Sequence, residues 1–317
     1  LPISFNLIPV VAFAQADSYP NKPVRVVIPF SAGTPIELPA RAVTQRMMET
    51  FGQSFVFDYR TGASGIIGTE AVARAPKDGY TMLMTNCSHT ANPAYFKKLP
   101  FDTINDFQPV SQINVTYGNL LVIHPSVPAK TVAEFIALVK KRPGELHYAS
   151  AGVGSPPHVS AALFAAMAGI NLIHVPYKGA APAVIDLAAG RINMVSAALA
   201  AQIGFVRDGK IKGIATTGLK RARLTPTVPT LDESGFPGFN VTAWHGILAP
   251  ARVDAAIIAK LNREIVRIVR LKDVEDVLLQ EGGEITPTSP QEFAAIIREE
   301  LAKWQKVVKQ AAISAEQ

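Results

Sequence analysis

The stretch Val24–Arg60, "VRVVIPF SAGTPIELPARAVTQRMMETFG Q SFVFDYR", decides the fold. Its first seven residues are an apolar, β-branched run bounded by turn residues, which predicts a buried strand. In the next 22 residues Ala40, Val43, Met47 and Phe51 recur at helical spacing, and Gly52 stops the helix. Residues 54–60 return to strand. This β-α-β unit continues into a turn "TGASG" (61–65), a short helix around 68–75 and a third strand "YTMLMTN" (80–86). The rhythm predicts an α/β fold with a mostly parallel sheet and helices on both faces.

A second series begins near Leu120. Strands are expected at "NLLVIHP" (119–125), "LHYASAG" (146–152), "NLIHVPYKG" (171–179), "INMVSAA" (192–198) and "IKGIATT" (211–217). Helices fall between them. Thr131 and Glu134 are spaced as a capping box, as are Ser289 and Glu292 with Pro290 at the first helical position. "VTAWHGILAP" (241–250) returns to strand, and two amphipathic helices close the chain. Two α/β units with a return strand predict two lobes: residues 17–121 plus 241–317, and 122–240. A hinge is expected near 118–124 and 238–244, since hinge motion concentrates in a few element-terminal residues. Small-molecule sites prefer such inter-lobe clefts and the carboxyl ends of parallel strands.

The chain has 317 residues, 48% of them hydrophobic and 18% charged, ample for one or two cored domains. Net charge is +6. The densest basic runs, 140–142 and 220–223, lack the interleaved aromatics that a nucleic-acid surface wants, so no nucleic-acid partner is expected. The N-terminal "LPISFNLIPVVAFAQA" (1–16) joins an apolar run to small residues at Ala14 and Ala16. That pattern reads as a secretory signal peptide missing its basic n-region, with the mature chain starting near Asp17. Pro2 and Pro9 count against a long helix or a central strand there.

Within the cleft-facing loops, "SAGVGSPPH" (150–158) is the strongest chemical signal. Pro157 stands where a dinucleotide fingerprint needs glycine, and no Gly-Lys-Ser/Thr follows for a phosphate loop. Ser155 suits an N-cap and Pro156 the first helical position. Two readings stand side by side: an anion seat sized for a small carboxylate, or a plain capped turn. In "SAGTPIE" (31–37), Thr34, Pro35 and Glu37 also fit a capping box, and Glu37 is read as serving the helix start. Pro39 argues that this helix begins later or kinks. Cys87 and His89 invite a nucleophile–base reading, but no orienting carboxylate accompanies them. The six histidines (89, 124, 147, 158, 174, 245) never fall at i,i+3 or i,i+4, so neither a metal nor another cofactor is expected.

Several segments taken in order, "PKDGYTML", "TNCSHTANPAYFKKLPFD", "DFQPVSQI", "HYASAGVGSPPH", "HVPYKGAAPAVIDLAAG", "VPTLDESGFPGF" and "AWHGILAP", resemble the Bug family of periplasmic solute receptors of tripartite tricarboxylate transport systems. The resemblance covers nearly the whole mature chain. It implies a two-lobed, type II periplasmic binding protein of Venus-flytrap form: exported, monomeric, without catalysis, handing a small carboxylate to the membrane components of a transporter. By position it implies ligand contacts at Ser31, Gly33 and Thr34, at Asn86, Ser88 and His89, and at Ser150, Gly152, Gly154, Ser155, His158, Tyr177, Lys178 and Gly179. The competing reading is an enzyme on the same frame using Cys87 or His158. Thr34 and Pro35 replace family glycines, Glu37 replaces an Asp, and Ser196 and Ala197 stand where relatives often carry Phe-Asp.

Overall fold

The computed structural model describes residues 18–310 except 117, 154, 281 and 282; the signal-peptide expectation for residues 1–16 lies outside the described residues. Two sheets organise the chain. The first has the order β11-β4-β10-β3-β1-β2, built from β1 (Val24–Ile28), β2 (Phe55–Tyr59), β3 (Thr81–Asn86), β4 (Phe107–Thr116), β10 (Trp244–Pro250) and β11 (Gly283–Ile285). The second has the order β7-β6-β8-β5-β9, from β5 (Asn119–Ile123), β6 (His147–Ser150), β7 (Ile173–Pro176), β8 (Met194–Ala198) and β9 (Lys212–Thr216).

Both sheets are mixed, which corrects the mostly parallel expectation. β1 pairs in parallel with β2 and β3, and β6 with β7 and β8. The strands flanking the crossings run the other way: β10 is antiparallel to β3 and β4, and β5 to β8 and β9. A strand that enters a lobe from its neighbour must start at the edge where the other strands end. The carboxyl ends of β1, β2, β3 and β4 therefore gather with the start of β10, and those of β6, β7, β8 and β9 with the start of β5. These two edges face one cleft.

The ten α-helices of the described residues are α1 (Glu37–Phe51), α2 (Ile66–Ala73), α3 (Ser88–Tyr95), α4 (Val132–Lys141), α5 (Pro156–Ala168), α6 (Ala180–Ala188), α7 (Ile203–Arg207), α8 (Ala255–Ile268), α9 (Lys272–Gln280) and α10 (Pro290–Gln310). Three helices, not two, follow β10. The caps read from sequence form: Glu134 N–H donates to Thr131 Oγ1, Glu292 N–H to Ser289 Oγ, and Ser289 N–H back to Glu292 Oε2. At α1 the expected box does not form. The helix begins at Glu37 after Ile36, and Glu37 reaches back past Thr34 to Gly33.

Two threonines stitch the crossings. Thr116 N–H donates to Ala243 O at 2.7 Å, and Ala243 N–H returns to Thr116 Oγ1. Thr217 Oγ1 accepts from Asn119 N–H at 2.7 Å and donates to Val241 O at 2.6 Å. Between them Gly118 sits at φ +85°, where an added Cβ would lie 2.3 Å from Thr217 Oγ1. The two crossings are not the whole connection. α10 packs against both α3 and α5, and the fully buried Trp304 shares a core with residues of both lobes, among them Leu83, Phe135 and Phe164. The rest of the first lobe's core is the layer of Val26, Met82, Ile113 and Ile247 under α1 and α8.

Candidate functional site

Three first-lobe loops reach the cleft edge. After β1, Thr34 Oγ1 donates to Ser31 O, and Gly33 N–H donates to Glu37 Oε2 at 2.5 Å. Arg41 grips the same carboxylate and reaches Tyr59 OH at 3.2 Å. Glu37 is held well below the usual carboxylate range, first by the Gly33 amide and then by Tyr59 and Arg41. Its charge is thus spent on the Gly33 amide and Arg41, where the sequence reading had placed it at the helix start. After β2 the chain runs through four successive residues of positive φ: Gly62, Ala63, Ser64 and Gly65. Ala63 and Ser64 are not glycines, are exposed, and hold φ of 46° and 54°, a strained geometry that gathers at functional sites. Asn92 Nδ2 donates to Ser64 O and ties this turn to α3. The sequence reading recognised the turn but did not count it among the cleft loops; alanine and serine between two glycines were the available signal.

After β3, Asn86 Oδ1 accepts from Ser88 N–H at 2.9 Å. Asn86 Nδ2 and Ser88 Oγ make no hydrogen bond among the described residues, so both remain available. His89 is different. Its ring is 2% exposed, sits between Phe101 and Phe107, and meets Thr103 O through Nε2 at 3.1 Å. Burial pushes it down to about 4. The imidazole belongs to the core under α3, not to the cleft loops. Cys87 is also fully buried, and burial pushes its thiol up to about 12. A thiolate is the nucleophile, so this geometry gives the Cys87–His89 pair no support.

In the second lobe Ser150, Gly152, Ser155 and His158 lie together; Gly154 lies outside the described residues. Ser155 caps α5 by accepting from His158 N–H at 3.3 Å, and its hydroxyl donates to Gly152 O at 2.7 Å. Pro156 and Pro157 have no N–H. Among the described donors here, the amides of Gly152, Ser155 and His158 and the Ser155 hydroxyl are engaged, while the Val153 N–H makes no hydrogen bond among the described residues. The His158 ring faces inward and stacks on His174 at 4.1 Å. Burial, then His174, pushes it down to about 4.

Next to this loop, Tyr177 N–H donates to Ser150 O, which fastens the start of the β7–α6 turn beside it. Tyr177 OH donates to Asp186 Oδ2 at 2.7 Å, and Asp186 also pairs with Arg191. The phenol is a wall, not a donor to the cleft. Lys178 is exposed and makes no ion pair among the described residues. Gly179, at φ +126°, precedes α6 and offers no capping side chain. No hydrogen bond within the described residues engages the amides of Gly179, Ala180 and Ala181. First-turn N–H groups lack intrahelical partners and carry the positive end of the helix dipole, a standing anion site. The sequence reading credited α5 with this chemistry and assigned Tyr177, Lys178 and Gly179 before α6, without the amides of Ala180 and Ala181.

Comparison with known proteins gives this arrangement a context. The family model of the tripartite tricarboxylate transporter family receptor matches residues 39–313. The Bordetella pertussis protein BugT is 31% identical over 303 residues, spanning 95% of this chain and 93% of its own. A protein of R. palustris solved with adipate superposes with TM-score 0.85 at 35% identity, covering 93% of this chain and 99% of its own. MatC from Rhodopseudomonas palustris, solved with bound malate, gives 0.81 at 32%, covering 92% and 100%. The structure of periplasmic binding protein BugD gives 0.82 at 30%, covering 93% and 99%. With a family match across most of its length and the same two-lobed fold, the chain belongs to the tripartite tricarboxylate transporter receptor family, a family of solute-binding proteins.

Proposed function

We propose that this receptor works in the periplasm, closes its two lobes on a small carboxylate and delivers it, as a monomer, to the membrane components of a tripartite transporter. The lobes divide near 116–119 and near 241–243, where the threonine stitches lie, and the described residues at the cleft edges sort into two groups. The framework comprises Gly33 with Glu37, the Ser150, Ser155 and His158 side chains, and Tyr177. The ligand is held by Asn86, Ser88, Lys178, Ser31 and Thr34 of the first loop, backbone groups around Gly152, and the first-turn amides Gly179 to Ala181. The observation that carries this reading is the uncapped start of α6 beside an uncommitted Lys178. Relatives solved with adipate and malate support a carboxylate as the cargo.

The acids nearest the cleft loops are committed, Glu37 to Gly33 and Arg41, and Asp186 to Tyr177 and Arg191. An α-ammonium desolvated there would lack a charged partner, which is costly. The ligand is accordingly a carboxylate without an α-amino group. Calorimetric titration with adipate, malate, succinate and aspartate tests both points. The account expects one of the first three to bind, to be recovered chemically unchanged, and to exceed aspartate. Conversion of the ligand, or binding of none of the four, contradicts the receptor reading as drawn here; tighter binding of aspartate contradicts only the second point.

A further inference from the structure

His174 was not among the residues selected from sequence, yet it touches the framework loop from two sides. It lies on β7, the edge strand, directly opposite Tyr148 of β6. Its ring stacks against both Tyr148, centroids 4.7 Å apart, and His158, 4.1 Å apart, and these two lie 6.4 Å from each other, so the three rings form one cluster. Its Nε2 is 2.8 Å from Ser150 Oγ. Ser150 is fully buried, and its hydroxyl also accepts from Gly152 N–H at 3.2 Å. Gly152 O then accepts from the Ser155 hydroxyl, the Ser155 hydroxyl accepts from His158 N–H, and the His158 ring returns to His174. The contacts form a closed circuit: His174, Ser150, Gly152, Ser155, His158, His174.

The circuit has little slack. Gly152 sits at φ +121°, and a Cβ there would lie 3.3 Å from Tyr177 O. Gly152 O already receives both the hydroxyl and the N–H of Ser155. Ser150 Oγ accepts from Gly152 N–H and bonds His174 in either neutral tautomer: it donates to Nε2, or it accepts from Nε2–H and donates to Gly152 O at 3.2 Å. We propose that His174 is a positioning residue for ligand capture: it does not touch the ligand, but anchors Ser150 and thereby presets the 150–155 loop on the cleft edge. A preset loop needs no ordering when the ligand arrives, which is where affinity is otherwise lost. The proposal rests on the receptor reading above.

The test uses His174→Phe, which keeps an aromatic ring in the stack but cannot bond Ser150, with Ser150→Ala as the same break made from the other side. Amide hydrogen exchange of residues 151–155 is read in the free protein, beside the melting temperature and the affinity for adipate and for malate. The expected result is exchange at 151–155 faster by about tenfold and a similar loss of affinity in either variant, the size expected for one hydrogen bond, with the melting temperature lowered by a few degrees at most. The double variant should lose no more than either single one, because both break one link. Wild-type exchange in His174→Phe overturns the proposal. So does faster exchange spread evenly over the whole second lobe with a melting temperature lowered far beyond that, which would make His174 a core residue only. If the wild-type protein binds neither probe, the receptor reading fails on those ligands while the exchange measurement still decides the role of His174.

Discussion

The second lobe contains two turns that feed helices from neighbouring strands, and they behave oppositely. The turn before α5 spends most of its donors. Ser155 caps the helix, two prolines remove N–H groups, and the loop is closed on itself through Ser150 and His174. The turn before α6 leaves more open: Gly179 brings no side chain and Pro182 lacks one N–H, but the amides of Gly179, Ala180 and Ala181 make no hydrogen bond among the described residues. A motif rich in serine and glycine is thus the better framework, and a plainer one the better anion seat. A capped helix start is a satisfied one; a ligand is drawn to the start that is left unsatisfied.

The largest effect should come from acid, which attacks only the first of these turns. His158 is held down to about 4 by burial, as are His89 and His245 elsewhere in the core. In the unfolded chain each titrates near 6.5, so below that pH the unfolded state takes up protons that the native state refuses. Stability is full above pH 6.5 and falls as pH drops toward 4, by about 1.4 kcal/mol per pH unit for each histidine. Urea unfolding between pH 7 and 5 measures it; a flat profile would mean that these rings are hydrated.

Ala181→Asp breaks the comparison from the other side. An acid in the first turn suits a helix, so the fold should hold. It also puts a negative charge where the ligand carboxylate is placed, and binding should weaken by about a hundredfold, the upper range for a charge beside a partly buried site. Calorimetry with an unchanged melting temperature supports this; unaltered affinity counts against the α6 seat.

Ser155→Ala should cost about 1 kcal/mol of stability through the lost cap. Its affinity loss should stay below that of Ala181→Asp, because the hydroxyl shapes the loop and does not face the ligand. The smallest effect belongs to Lys178→Gln. An exposed cation contributes about 0.2–1 kcal/mol, and its share should vanish in 0.5 M salt. Equal affinity of wild type and variant at low salt would remove Lys178 from the site.

Much of this architecture is legible in the residues, because local chemistry dictates it. Ser289, Pro290 and Glu292 specify a helix start wherever they occur, and Gly52 and Gly169 end helices in the left-handed conformation. β4 is illegible for an equally local reason. Pro109 and the polar residues Gln108, Ser111, Gln112 and Asn114 argue against a strand inside a sheet. The proline is tolerated because β11 pairs only with residues 114–116 and leaves that part of β4 an open edge. The strand directions were hidden because they follow from how the crossings enter each lobe. His174 was hidden because its meaning depends on Ser150 and His158, which only the parallel pairing of β6 and β7 brings to it. His89 looked like a site residue by its position in the motif, and only packing against Phe101 and Phe107 turns it inward.

The central claim is that the ligand's carboxylate sits on the uncapped start of α6 while the α5 turn remains framework. A crystal structure with a bound dicarboxylate, adipate or malate, tests it most directly. The account predicts a carboxylate oxygen within about 3 Å of the Ala180 or Ala181 nitrogen, the ordinary hydrogen-bond distance, with the Ser155–His158 cap and the Ser150–His174 bond intact. A carboxylate held instead by the Ser155 hydroxyl and the His158 amide, with that cap broken and the α6 amides left to water, would contradict it.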